Sequence, residues 1–107
     1  MRNEDYRLVI TVREIHGKCP VFSVGDKIVI EQPKIVLEKT DNLCIHALGS
    51  VLSMIIPLSK GISFKDLGLT KGDDDDRGYM QCLDPGEPYT EGGTVIFEIK
   101  RERMPNR

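Results

Sequence analysis

The sequence predicts an α+β domain, a small antiparallel sheet or partly open barrel with one main helix packed on it. Three observations lead there. Several segments alternate apolar and polar residues with a period of two. One stretch, about residues 42–56, repeats its apolar residues at helical spacing. The connections between alternating segments are short and rich in Gly, Pro and Asp, as hairpins require. With 107 residues the chain makes a single domain, 1–107, long enough to bury a core without a metal or a disulfide.

The first strand runs from Tyr6 to Ile15, with Leu8, Ile10 and Val12 on one face and Val9, Thr11 and Arg13 on the other. Gly17 to Pro20 breaks it, and Val24-Gly25-Asp26 turns the chain into a second, β-branched strand, Lys27 to Glu31. Beyond Pro33, Ile35 to Leu37 suits a short edge strand. Thr40-Asp41-Asn42 carries the side chains of a helix start, after which Leu43, Ala47, Leu48, Val51, Met54 and Ile55 recur at helical spacing up to Pro57. Gly49 inside this helix costs about 1 kcal/mol relative to Ala; it is either a tolerated glycine or a point of close packing on the sheet or on a second copy.

Ser59 to Thr70 reads as a loop with one helical turn around Ile62, Phe64 and Leu67. The run Asp73-Asp74-Asp75-Asp76 must be exposed, because adjacent carboxylates repel and cannot be desolvated together. Tyr79 to Leu83 reads as a strand, Asp84 to Gly93 as a turn-rich excursion, and Thr94 to Lys100 as the last strand, with Val95, Phe97 and Ile99 on one face. Lys100 to Arg107 reads as a solvated basic tail. One helix covers one face of a sheet, so the remaining face is expected to need barrel closure or a partner, which predicts a homo-oligomer.

Composition narrows the function classes. A formal net charge of -2 with 30% charged residues spread along the chain argues against nucleic acid as a partner. The longest apolar stretch, Val51 to Leu58, is interrupted by Ser53 and Pro57 and falls far short of the roughly 20 residues that span a bilayer. The sequence shows no targeting peptide, and its three cysteines form no C-x-x-C pair, so reduced thiols and a cytoplasmic location are expected. No P-loop, G-x-G-x-x-G, G-x-S-x-G or H-E-x-x-H motif is present. Asp73, Asp75, Gly78 and Asp84 mimic part of a calcium loop, but Arg77 occupies a ligand position and the flanking helices are missing.

The cysteines sit at punctuation points, where loops and helix starts place reactive thiols. Cys19 lies in Gly17-Lys18-Cys19-Pro20, Cys44 in the first turn of the predicted helix, and Cys82 before an Asp-Pro-Gly turn. If they converge, Cys19, Cys44 and Cys82 with His16 form a four-ligand soft set suited to zinc or iron, His16 and Cys19 having knuckle spacing. The alternative is three small residues filling apolar pockets. Cys44 is also the candidate catalytic nucleophile, since the amides of a first helical turn stabilise a thiolate. Within one helix, Cys44 and His46 would point about 200° apart at 3.6 residues per turn and could not act as a pair.

Taken in order, the Gly17-Lys18-Cys19-Pro20, Val24-Gly25-Asp26, Leu43-Cys44-x-x-Ala47-Leu48 and Cys82-x-Asp84-Pro85 segments, followed by Val95-x-Phe97-Glu98-Ile99-x-Arg101, resemble a family of short prokaryotic proteins found largely in anaerobic bacteria and archaea. Its members match at positions 19, 44 and 82. The resemblance implies that the thiols work together, and it brings no established fold, activity or cofactor. The chain departs from the pattern at Phe22-Ser23, where the family tends to His-Lys, and at Leu83, where it tends to Pro. Three function classes follow: a binding or accessory protein with a thiol site for a metal or small-molecule ligand; a cysteine-dependent enzyme acting on a small molecule; or a structural subunit without chemistry.

Overall fold

The computed structural model describes residues 6–73 and 75–104; the expectations for Asp74 and for 105–107 lie outside them. Among the described residues five strands and one α-helix follow in the order β1 (Tyr6–His16), β2 (Lys27–Glu31), β3 (Lys34–Ile35), α1 (Ile45–Ser59), β4 (Arg77–Gln81) and β5 (Thr94–Arg103). The strands form one sheet in the order β3-β2-β1-β5-β4, antiparallel at every pairing. It is an open sheet, and the helix lies across one face. No helix among the described residues is long and apolar enough to cross a membrane.

The core follows the alternation. Leu8, Ile10 and Val12 of β1, Ile28 and Ile30 of β2, and Val95, Phe97 and Ile99 of β5 are buried against Ala47, Val51, Ile55 and Leu58 of α1. Phe22, from the β1–β2 connection, meets Phe97 edge to face at 5.6 Å between ring centroids. Phe64, from the loop after the helix, is fully buried.

The opposite sheet face carries Val9 and the buried Val29 together with charged side chains. Arg7 Nε donates to Glu31 at 2.7 Å and Nη1 to Glu102 at 3.4 Å, while Glu98 accepts from Arg13, Arg77 and the Tyr79 hydroxyl. Among the exposed apolar side chains, Ile45, Leu52 and Ile56 share one side of α1.

Both helix ends differ from the expected 42–56. Thr40 and Asp41 have other partners: the Thr40 hydroxyl accepts the Val29 amide and donates to Val36 O, and Asp41 carboxylate accepts the Lys27 amide. They extend the packing beside β2, and Cys44 becomes the N-cap, with extended φ/ψ of -127° and 132°. At the other end Pro57 sits inside the last turns, where its missing N–H forfeits one bond. The true stop is a Schellman motif, with Ile62 N–H donating to Pro57 O at 3.0 Å and Gly61 N–H to Leu58 O at 3.1 Å. Gly49 makes room for Leu83, whose Cδ1 lies 3.3 Å from where a β-carbon would stand. The expected edge strand shrinks to Lys34–Ile35, with a tight helical turn at Leu37–Lys39.

The expected solvated tail is also corrected. β5 continues to Arg103, and Arg101 is 6% exposed. Its guanidinium donates to Leu58 O, Ile62 O and Asp75 O, and lies over the rings of Tyr6 and Phe64. The acidic run behaves as expected, Asp73, Asp75 and Asp76 being exposed.

Candidate functional site: a pocket lined by three thiols

The sheet order decides where the cysteines meet. Because β1 lies between β2 and β5, the connection after β1 and the connection before β5 emerge side by side at one end of the sheet, where α1 begins. Cys19 comes from the first connection, Cys82 from the second, and Cys44 from the helix start. All three line one cavity of about 320 Å³. Pro20, Val21, Phe22, Ile45 and Val95 give it an apolar wall, and His46, Asp84, Gly92 and Gly93 complete it.

Close backbone contact holds the two connections together. Gly93 N–H donates to His16 O at 3.0 Å, and a β-carbon on Gly93 would stand 2.5 Å from Lys18 O. The residue also has φ of +96°, so only glycine fits here without moving the Cys19 loop.

The thiols differ in their surroundings. Cys82 is buried; its sulfur accepts the Val95 N–H at 3.3 Å and its S–H points to Gly93 O at 3.6 Å. The half-buried Cys19 accepts the Phe22 N–H at 3.4 Å. Cys44 is also half-buried, but as N-cap its sulfur makes no capping bond, and that sulfur has no hydrogen-bond partner among the described residues. The first amides of α1 have no intrahelical acceptor and sit beside it.

At the rim, Asp84 organises its turn by accepting the Gly86 N–H at 2.9 Å and the Thr90 hydroxyl. The Thr90 hydroxyl, then the Gly86 amide, and to a smaller extent the charge of His46 hold its carboxyl below the ordinary carboxylate value. The rim therefore carries a fixed negative charge near an exposed imidazole. Sequence reasoning passed over Asp84 and His46 as pocket residues; the Asp84-Pro85-Gly86 turn and the Gly92-Gly93 pair were the available signals.

The structure does not assemble the four-ligand zinc or iron set. Among the described residues no group of three or more His, Cys, Asp or Glu side chains stands close enough to hold a metal ion. His16 is exposed on β1, with Nε2 3.0 Å from Glu14, and does not line the pocket. Cys44 lies outside the helix, so helical angles do not separate it from His46, and both residues line the same cavity. No hydrogen bond joins them among the described residues. The chain matches no protein-family model, no curated protein and no solved structure.

Proposed function

We propose that the chain is a binding or accessory protein whose site is the thiol-lined pocket, and that its ligand is a small molecule with a mostly apolar body. One observation carries this reading: three cysteines from three separate connections line one cavity of about 320 Å³. That volume falls at the lower end of small-molecule sites, roughly 300–1,000 Å³. The apolar wall favours an uncharged body, and Asp84 with His46 offers a polar handle at the rim. The free thiols suit a reducing compartment such as the cytoplasm.

A cysteine-dependent reaction in the same cavity is the second reading. It is favoured because Cys44, alone of the three, keeps its sulfur unengaged by hydrogen bonds among the described residues. A homo-oligomer, if formed, has the exposed Ile45, Leu52 and Ile56 side of α1 as its natural contact; sedimentation of wild type and Leu52→Lys measures this separately.

The test is an amide-resolved NMR titration with small neutral aromatic fragments. Binding in the pocket shifts the Cys19, Cys44, Cys82 and Gly93 amides together. Fragments that leave these amides unmoved, in a set that shifts residues elsewhere, overturn the reading and leave a structural subunit. Elemental analysis of protein purified without oxygen or chelator, with the three single Cys→Ser variants, tests the occupant: stoichiometric metal lost in all three replaces the small molecule with a metal ion.

A further inference from the structure

We infer, on the basis of that pocket reading, that the cavity takes a small uncharged disulfide and that Cys44 captures half of it as a mixed disulfide. The three thiols are unequal. Cys82 is 5% exposed and its sulfur is held by the Val95 and Gly93 backbone, while Cys19 is tied to the Phe22 amide. Cys44 faces the same cavity with its sulfur unengaged among the described residues, so it can move to meet a reactant. It stands ahead of Ile45, where the first-turn amides, which have no acceptor within the helix, favour negative charge on the attacking sulfur.

The cavity then selects the reactant. Pro20, Val21, Phe22 and Val95 favour an apolar body, and the ionised Asp84 at the rim disfavours an anion. Two further sulfurs on the same walls distinguish a disulfide from a carbon electrophile. An adduct with carbon uses one thiol and stops, whereas a second thiol of the same pocket can attack a mixed disulfide, releasing the ligand sulfur as a thiol and leaving a disulfide between the two cysteines.

The step balances as thiol–disulfide exchange. The Cys44 thiol gives up its proton, its thiolate forms a bond to one ligand sulfur, and the ligand S–S bond breaks. The electron pair leaves with the second ligand sulfur, which takes up a proton and departs as a thiol. The Cys44 sulfur is oxidised by the amount that the departing sulfur is reduced.

The experiment follows the reaction of dithiodipyridine, a neutral aromatic disulfide, with the fully reduced chain and with the Cys19→Ser, Cys44→Ser, Cys44→Ala and Cys82→Ser variants. A dianionic reagent, dithiobis(nitrobenzoate), is run beside it. The expected result is one phase about tenfold faster than the other thiols, whose rate saturates with dithiodipyridine concentration. Peptide mapping places that adduct on Cys44, and both Cys44 variants lose the phase. The dianionic reagent shows no saturation. A rate at Cys44 that rises linearly with reagent, a fast phase mapping to Cys19 or Cys82, or equal behaviour of the two reagents overturns the inference. If fragments still shift the pocket amides in that event, the binding reading stands and only the chemistry falls; if no fragment shifts them, the binding reading itself has failed.

Discussion

Replacing Arg101 tests how the end of the chain is held to the helix. Its Nη1 donates to Leu58 O at 3.0 Å and Ile62 O at 2.6 Å, its Nη2 to Asp75 O at 2.7 Å, and its guanidinium carbon lies 4.8 Å and 5.0 Å from the Tyr6 and Phe64 ring centres. Arg101→Met keeps a long apolar side chain and removes every donor. Leu58 O retains the Gly61 amide, so two partly buried carbonyls lose this donor, at about 1 kcal/mol each, and the two ring contacts contribute about 1 kcal/mol more. The charge is no longer desolvated, and the buried Nε–H, which has no partner among the described residues, disappears with it. The net loss is about 2–3 kcal/mol.

In urea that loss moves the midpoint by roughly 1–2 M, and in a thermal melt by roughly 10–20 °C. Hydrogen exchange adds a local signature. The Arg101 amide also binds Asp76 O at 2.7 Å, so amides just after Asp75 gain exchange beyond the global change when the side chain is lost. Arg101→Lys falls between the two, because one ammonium cannot reach three diverging carbonyls. An Arg101→Met variant within about 0.5 kcal/mol of wild type, or more stable, refutes the reasoning and makes desolvation the dominant effect.

Gly93→Ala is expected to cost about 1–3 kcal/mol and to shift the Cys19 amide in an NMR spectrum, since the new β-carbon meets Lys18 O; an unmoved Cys19 would mean that the two connections are not coupled. Cys82→Ser is expected to lose about 1 kcal/mol in urea unfolding, because a shorter and more polar group replaces a buried sulfur bridging Gly93 and Val95; a stability equal to wild type would argue against that bridge. The Arg7 guanidinium, by hydrogen bond and charge, holds the Glu31 carboxyl below its ordinary value against the opposing effect of burial. This stabilisation is complete above the ordinary glutamate range and is lost as pH falls through the lowered folded-state value. The stability gap between wild type and Glu31→Gln, measured by urea unfolding across pH, should therefore close on acidification, and a gap that widens contradicts the pairing.

What was legible in the sequence was local. Alternation in Leu8-Ile10-Val12 and Val95-Phe97-Ile99 located the buried faces because a strand side chain has only two directions available. The same alternation places Arg101 two residues beyond Ile99 on the core face, but its charge argued for solvent; carbonyl acceptors from distant segments decided otherwise. The helix was legible in its middle and misplaced at its ends. Thr40 and Asp41 were taken by β2, a tertiary competition that no capping pattern reveals, whereas Lys60-Gly61 was a stop signal overshadowed by Pro57. The meeting of Cys19, Cys44 and Cys82 depends on β1 pairing with β5 across most of the chain, which spacing between cysteines does not encode.

The exclusion of His16 from the site follows from one irregularity in that pairing. Up to Val12, which faces Phe97, β1 and β5 keep one register; from Glu14, which faces Ile96, the register has shifted by one residue. Such a shift reverses the faces of everything beyond it. In an unshifted pairing Glu14 would oppose Val95, putting Glu14 and His16 on the core side with Val95 and Phe97. The bulge instead sets Ile15 opposite Val95, packed against the core, and turns Glu14 and His16 outward as a pair. The end of β1 thus gives an apolar residue to the core and none to the pocket, and the ionisable groups that line the pocket besides Cys19 and Cys82 come from the helix start and the Asp84 turn. A regular strand would have turned the imidazole to the core side; the bulged one leaves it outside a cavity lined by three cysteines and an apolar wall, an environment suited to a soft, uncharged ligand.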